Sequence, residues 1–88
     1  MDLQDKNVVV TGAGRGIGEA LAREFHARGA RVAVADLRGA DAVAASLDGA
    51  IAFEADVSTE AGNKALVEGA IEAMGHIDLF FANAGVGN

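Results

Sequence analysis

Val8-Val9-Val10-Thr11-Gly12-Ala13-Gly14-Arg15-Gly16-Ile17-Gly18 is the stretch on which the reading of the whole chain turns. The β-branched run predicts a strand over about 7–11, and the glycines after it predict a tight turn. Beyond the turn, Ile17, Leu21 and Phe25 recur every four residues, with Ala20 beside them and Glu19, Arg23 and Arg28 between. That spacing predicts an amphipathic helix over about 16–28, ended by Gly29. A strand therefore runs through a glycine turn straight into a helix.

The same alternation continues downstream. Arg31 to Asp36 reads as a second strand, unbroken by polar residues, which suits a strand covered on both faces. Residues 40–47 predict a short Ala-rich helix with Asp41 in its first turn and Gly49 just past its end. Ile51-Ala52-Phe53 predicts a third strand that closes at Asp56. Ser58 is placed to cap a helix over about 59–74, whose apolar stripe is Leu66/Val67, Ala70/Ile71 and Met74. Gly62 and Gly69 weaken that helix by about 1 kcal/mol each relative to Ala, and close packing on the sheet would account for them. Gly75 ends it, and 77–82 predicts a fourth strand rich in Leu79, Phe80 and Phe81. Regular alternation means parallel strands joined by right-handed crossovers. The expected fold is α/β: a partial, Rossmann-type, doubly wound parallel sheet of four strands and three helices in the order 3-2-1-4.

Totals narrow the function classes. With 88 residues the chain has room for one domain. At 51% hydrophobic and 23% charged it is globular rather than disordered. A net charge of −6 repels nucleic-acid backbones, although backbone N–H groups still supply a local phosphate site. There is no Cys, hence no disulfide or thiolate chemistry. His26 and His76 lie in separate segments and read as surface or packing residues, so no metal site is expected. The opening Met1-Asp2-Leu3-Gln4-Asp5 lacks the order of a signal peptide, and no apolar run is long enough to span a bilayer. The expectation is a cytoplasmic protein with no nucleic-acid or membrane partner.

The turn carries the chemistry. Gly lets the chain bend sharply, lets the backbone approach a pyrophosphate, and lets the helix begin close to the strand with its free N–H groups and positive dipole end facing the phosphates. The spacing does not fit the general G-x-G-x-x-G pattern, because Ile17 and Glu19 fall where the last Gly would be needed. It fits T-G-x-x-x-G-x-G through Thr11, Gly12, Gly16 and Gly18. The bland alternative is a glycine-rich turn with no ligand.

Asp36 ends the second strand 18 residues after Gly18, where an acid commonly holds an adenosine ribose. An Asp accepts from both hydroxyls of a diol and repels a 2′-phosphate. Two such charges about 4 Å apart are worth roughly 1 to 4 kcal/mol, which favours NAD over NADP. Arg15 and Arg38 offset that preference in part by pairing with a phosphate. The alternative role for Asp36 is to cap the next helix. Asp56-Val57 follows the third strand, and Asn83-Ala84-Gly85 the fourth.

These elements together resemble the short-chain dehydrogenase/reductase family across all 88 residues, about the first third of a family chain. The resemblance implies a cofactor site made by Gly12, Arg15, Gly16, Ile17, Gly18, Asp36, Leu37, Asp56, Val57, Asn83, Ala84 and Gly85. It implies that Asp56 accepts from the exocyclic amine of adenine and that Val57 adds a backbone contact; the residues alone read Asp56 as a loop Asp before the Ser58 cap. It implies that Asn83 ties the central strands together while Ala84-Gly85 pass close to the ribose. Ala82 departs from the family pattern, standing where N-N-A-G has its first Asn.

In that family a Tyr and a Lys four residues apart, helped by a Ser and a further Asn, do the chemistry downstream of N-A-G. This chain has no Tyr, and its lysines, Lys6 and Lys64, fall elsewhere. No catalytic residue is expected within 1–88, and the catalytic portion is expected to lie outside it. The resemblance implies an oxidoreductase that moves hydride between nicotinamide and an alcohol or carbonyl, with a substrate only in a complete chain. The alternative is a stand-alone, non-catalytic dinucleotide-binding or interaction module. An S-adenosylmethionine-dependent methyltransferase is disfavoured by Thr11 before the glycines and by Asn83-Ala84-Gly85. An apolar fourth strand at a sheet edge also predicts self-association through 77–82, or a homo-oligomer.

Overall fold

The computed structural model describes residues 2–83. Its elements are β1 (Asn7–Thr11), α1 (Gly16–Ala27), β2 (Arg31–Asp36), α2 (Ala40–Ala45), β3 (Ile51–Glu54), α3 (Glu60–Met74) and β4 (Leu79–Phe81). All strand pairs are parallel, in the order β3-β2-β1-β4. Ala84 and Gly85 lie outside the described residues.

β1 and β2 are the central strands, which explains their unbroken apolar character. Both faces of each are covered, so Val8, Val9, Val10, Val32, Ala33, Val34 and Ala35 are all buried. The pleat sends Val8, Val10, Val32 and Val34 to the face covered by α1 and α2, where Ala22, Val43 and Leu47 meet them. Val9, Ala33 and Ala35 point the other way, against Leu66 and Ala70 of α3. Small residues on the helices bring them close to the sheet.

The apolar stripes differ from the spacing-based reading at Ile17 and Ala20 on α1 and at Ile71 on α3, all three of which are exposed. α1 buries Gly18 and Ala22, with Leu21 and Phe25 packed beside them, while Ile17 is 68% exposed. Ile17 sits in the first turn, beyond the end of the strand it follows, so nothing of the sheet lies beneath it. On α3 the buried residues are Leu66 and Ala70, and Ile71 is 44% exposed. The two weakening glycines of α3 have a physical reason. A Cβ at Gly62 would collide with the Asp56 carbonyl, and one at Gly69 would lie 2.9 Å from the Phe53 ring.

β4 is shorter than its apolar run because polar contacts claim both ends. Asn7 N–H donates to the Asp78 carboxylate at 2.8 Å, and Asp78 N–H donates to Asn7 O at 2.8 Å. The buried Asn7 amide also donates to the carbonyls of Met74 and His76, which pins the α3–β4 turn beneath β1. Past Phe81 the chain bends so that Asn83 N–H reaches Thr11 Oγ1 at 3.0 Å. α2 stops at Ala45 because the Ser46 hydroxyl donates back to Val43 O at 2.7 Å.

The Asn7 N–H holds the Asp78 carboxyl below the ordinary carboxylate range, and the charges of His76 and Lys6 and a hydrogen bond from His76 act in the same direction against partial burial. A depressed folded value means that Asp78 stabilises the fold above the unfolded value of about 3.9 and stops doing so as pH falls through the folded value. Asp78→Asn should therefore flatten the fall in thermal midpoint from about pH 5 downward; an unchanged acid limb would show that the contact contributes nothing. Leu66→Ala should cost about 2–5 kcal/mol in chemical denaturation, and Ile71→Ala less than about 1 kcal/mol. Equal losses would contradict the stripe described for α3.

Candidate functional site

The loops after β1, β2, β3 and β4 all leave the carboxyl ends of parallel strands, the edge at which open α/β sheets bind ligands. The turn after β1 is built by backbone approach. Gly12 and Gly16 have φ of 65° and 61°, a left-handed conformation that Gly adopts at low cost. A Cβ at Gly18 would collide with the Gly12 carbonyl, so only Gly lets α1 start this close to β1. Nothing lies within 4 Å of a Cβ built on Gly16, which leaves open space at the helix N-terminus. Arg15, the N-cap residue, makes no side-chain capping bond. The first-turn N–H groups thus keep their partial positive charge for an anion.

Asp36 braces this turn. Its Oδ2 accepts from Gly14 N–H at 2.8 Å and its Oδ1 from Leu37 N–H at 2.7 Å. It does not cap the following helix, whose N-cap is Gly39. A carboxylate has about four lone-pair directions, so two remain for a ligand diol. Gly14 is part of the same contact: a Cβ there would collide with Arg38 O and lie 2.9 Å from Asp36 Oδ2. The spacing motif passes over Gly14; its only signal in the sequence is a fourth glycine in the stretch Gly12 to Gly18. A cleft of about 220 Å³ opens beside Asp36, lined also by Leu37, Arg38 and Glu54. Leu37 is 56% exposed at its rim. Arg15 and Arg38 are exposed and have no ion-pair partner among the described residues.

Asp56 and Val57 sit between β3 and α3. The cap of α3 is Thr59, whose hydroxyl accepts from Gly62 N–H at 2.9 Å, rather than Ser58. Ser58 is drawn away because its hydroxyl and its N–H both donate to Asp56 Oδ1. The Ser58 hydroxyl, and after it the Ser58 N–H, hold the Asp56 carboxyl below the ordinary range against slight desolvation. The Thr59 hydroxyl lies 3.1 Å from Asp56 O, and Asn63 Nδ2 donates to Val57 O at 2.7 Å. Asn63 is a residue that the motif reading does not find; its only signal is an amide side chain in the first turn of a helix.

Asn83 joins the fourth strand end to the first. Its N–H donates to Thr11 Oγ1, and its Nδ2 lies 3.5 Å from Gly12 O. The structure thus brings Gly12, Arg15, Gly16, Ile17, Gly18, Asp36, Leu37, Asp56, Val57 and Asn83 to one edge of the sheet. No group of three His, Cys, Asp or Glu among the described residues is arranged to hold a metal. No described helix is long and apolar enough to cross a membrane.

A family model described as short chain dehydrogenase matches residues 6–88. A meso-2,3-butanediol dehydrogenase of Serratia marcescens is 44% identical over 98% of this chain, which covers 36% of that protein. An L-rhamnose 1-dehydrogenase (NAD(P)(+)) of Azotobacter vinelandii is 42% identical over 98% of this chain and 38% of its own length. A crystal structure of a 3-ketoacyl-(acyl-carrier-protein) reductase from Brucella melitensis, complexed with NADH, superposes with a TM-score of 0.85 at 41% identity. It covers 89% of this chain and 34% of its own. The chain therefore spans little more than a third of the length of these relatives.

Ser58→Ala should raise the titration midpoint of the Asp56 carboxyl, read by NMR across the acid range. An unmoved midpoint would show that the hydroxyl does not hold that charge. Gly18→Ala should destabilise the fold by about 1–3 kcal/mol through forced separation of α1 from the Gly12 carbonyl.

Proposed function

The chain belongs to the short-chain dehydrogenase family, and on that premise we propose that residues 1–88 are the dinucleotide-binding front part of an oxidoreductase that moves hydride between nicotinamide and an alcohol or carbonyl. The observation that carries this reading is the open, uncapped N-terminus of α1 above Gly16, with acids at the two neighbouring strand ends on one side and Asn83 on the other. A dinucleotide presents matching chemistry: two phosphates, a diol and a purine amine.

Gly12, Gly16 and Gly18 let backbone N–H groups reach the pyrophosphate, and Arg15 adds a positive charge at the rim. Ile17 and Leu37 offer exposed apolar surface to the cofactor. Asp36 accepts from the adenosine ribose hydroxyls, and Asp56 with Val57 meets the adenine. Asn83, with Ala84 and Gly85 following, lines the route past the ribose. When bound, the nicotinamide supplies the hydride chemistry. The residues of this chain bind and orient, and none has a catalytic role. Residues 1–88 make a single partial domain, with the acid/base groups and substrate pocket contributed by a longer chain.

We favour NAD, because a ribose 2′-phosphate would face the Asp36 carboxylate. The cytoplasm is the proposed location. The 88-residue chain is proposed to self-associate through segment 77–82, because among the described residues β4 is a sheet edge with Phe81 36% exposed. The alternative, a stand-alone binding module without catalysis, would share every one of these contacts and differ only in lacking turnover in its longest natural form.

The test is a titration with NADH and NADPH. NADH should bind more tightly, and Asp36→Ala should narrow the gap by a factor between about 5 and 1000. An unchanged ratio would remove Asp36 from the ribose. Gly16→Val should abolish binding of both; retained binding would move the pyrophosphate elsewhere. Light scattering on the 88-residue chain should show association that Phe81→Lys reduces, and a stable dilute monomer would end the edge-pairing proposal.

A further inference from the structure

Asp56 and Val57 stand on a segment with no regular structure, between Glu54, the last residue of β3, and Glu60, the first of α3. Such a segment presents a fixed edge only if its backbone groups are held. The Asp56 carbonyl is held by the Thr59 hydroxyl at 3.1 Å. The Val57 carbonyl has one polar partner among the described residues, Asn63 Nδ2 at 2.7 Å, and the same amide group donates to Thr59 O at 2.9 Å. Asn63 thus clamps the loop to the first turn of α3 from two directions. The close approach of that turn, which Gly62 permits, brings the clamp within reach.

The clamp has a directional result. Asp56 Oδ1 takes both donors of Ser58, and Oδ2 has no partner among the described residues. An ionised carboxylate oxygen accepts and never donates. It matches the 6-amino group of adenine and opposes the 6-carbonyl of an oxo purine. Rotation of the Val57 peptide would turn this edge away and remove the match.

We propose that Asn63 is a positioning residue of the nucleotide site: by holding the Val57 carbonyl on α3 it keeps the Asp56-Val57 edge aimed so that a 6-amino purine is selected over a 6-oxo purine. This rests on the reading above that Asp56 and Val57 face the base. It goes beyond that reading by placing base selection on a side chain that does not touch the base.

The test uses the longest natural chain that carries this sequence. Affinities are measured for NADH, for its hypoxanthine analogue and for reduced nicotinamide mononucleotide, which has no purine. The unsubstituted protein should prefer NADH over the hypoxanthine analogue by about tenfold or more, the worth of one hydrogen bond to a charged acceptor. Asn63→Ala should bring that ratio within about threefold of unity and leave binding of the mononucleotide within about twofold. A general loss of stability would weaken all three ligands and leave the ratio intact, which would overturn the proposal. Asn63→Asp keeps the size and loses the donor, and should behave like Asn63→Ala. If both variants fail to fold, the unsubstituted protein is titrated with AMP and IMP while the Asn63 side-chain amide is followed by NMR. The amide should then keep slow hydrogen exchange, and AMP alone should shift Val57 N–H; fast exchange or equal shifts would overturn the proposal. An unsubstituted protein with no preference between the two dinucleotides would instead refute the placement of the base on Asp56.

Discussion

A missing side chain at Gly18 sets the distance between α1 and β1. A Cβ there would run into the Gly12 carbonyl and lie 2.8 Å from Asn83 Nδ2. With hydrogen alone at that position, the helix begins directly over the strand end. Its first-turn N–H groups lie beside Gly16, where among the described residues no other part of the chain comes within 4 Å of a Cβ built there. The same approach leaves room for Asn83 to reach the Gly12 carbonyl from the β4 side. One short contact therefore fixes helix position, turn shape and the junction of two neighbouring strands.

The strand ends solve a polar problem around that contact. Loops at a sheet edge carry backbone groups that the ladder no longer satisfies. Here acidic side chains take up several of them: Asp36 accepts from Gly14 and Leu37, and Asp56 accepts from Ser58. Each carboxylate keeps acceptor capacity for a ligand hydroxyl or amine. The molecule carries a net charge of −6, so general electrostatics oppose a phosphate ligand. The uncapped helix terminus and the exposed Arg15 and Arg38 are positive exceptions to that background. The family's pyrophosphate fits this arrangement because it is bound by backbone dipoles more than by net charge.

The sheet order and the helix sequence were legible because β1 and β2 are covered on both faces and therefore carry unbroken apolar runs. The glycine turn was legible because Gly12 and Gly16 need positive φ, which no other residue supplies cheaply. Periodicity misplaced Ile17 and Ile71, since it reports the angle of a side chain around a helix and not whether the sheet extends beneath it. The sequence offers two adjacent hydroxyl residues, Ser58 and Thr59, as caps for α3 and does not by itself choose between them. The choice between them is made by Asp56, which draws Ser58 away and leaves Thr59 to bind Gly62 N–H. Gly14 and Asn63 escaped the reading because their contacts join residues from different loops or turns. Arg38 O against Gly14 and Val57 O against Asn63 exist only once the loops have been brought together.

The central claim is that the carboxyl edge of the sheet holds a nicotinamide dinucleotide along its length. Backbone amide mapping by NMR during titration with NADH tests it most directly. Saturable shifts are expected, concentrated at Gly12 to Gly18, at Asp36 to Arg38 and at Asp56-Val57. Little change is expected at Asn7, His76 and Asp78, which lie at the opposite ends of the strands. Absence of saturable shifts, or shifts centred on that opposite edge, would contradict it.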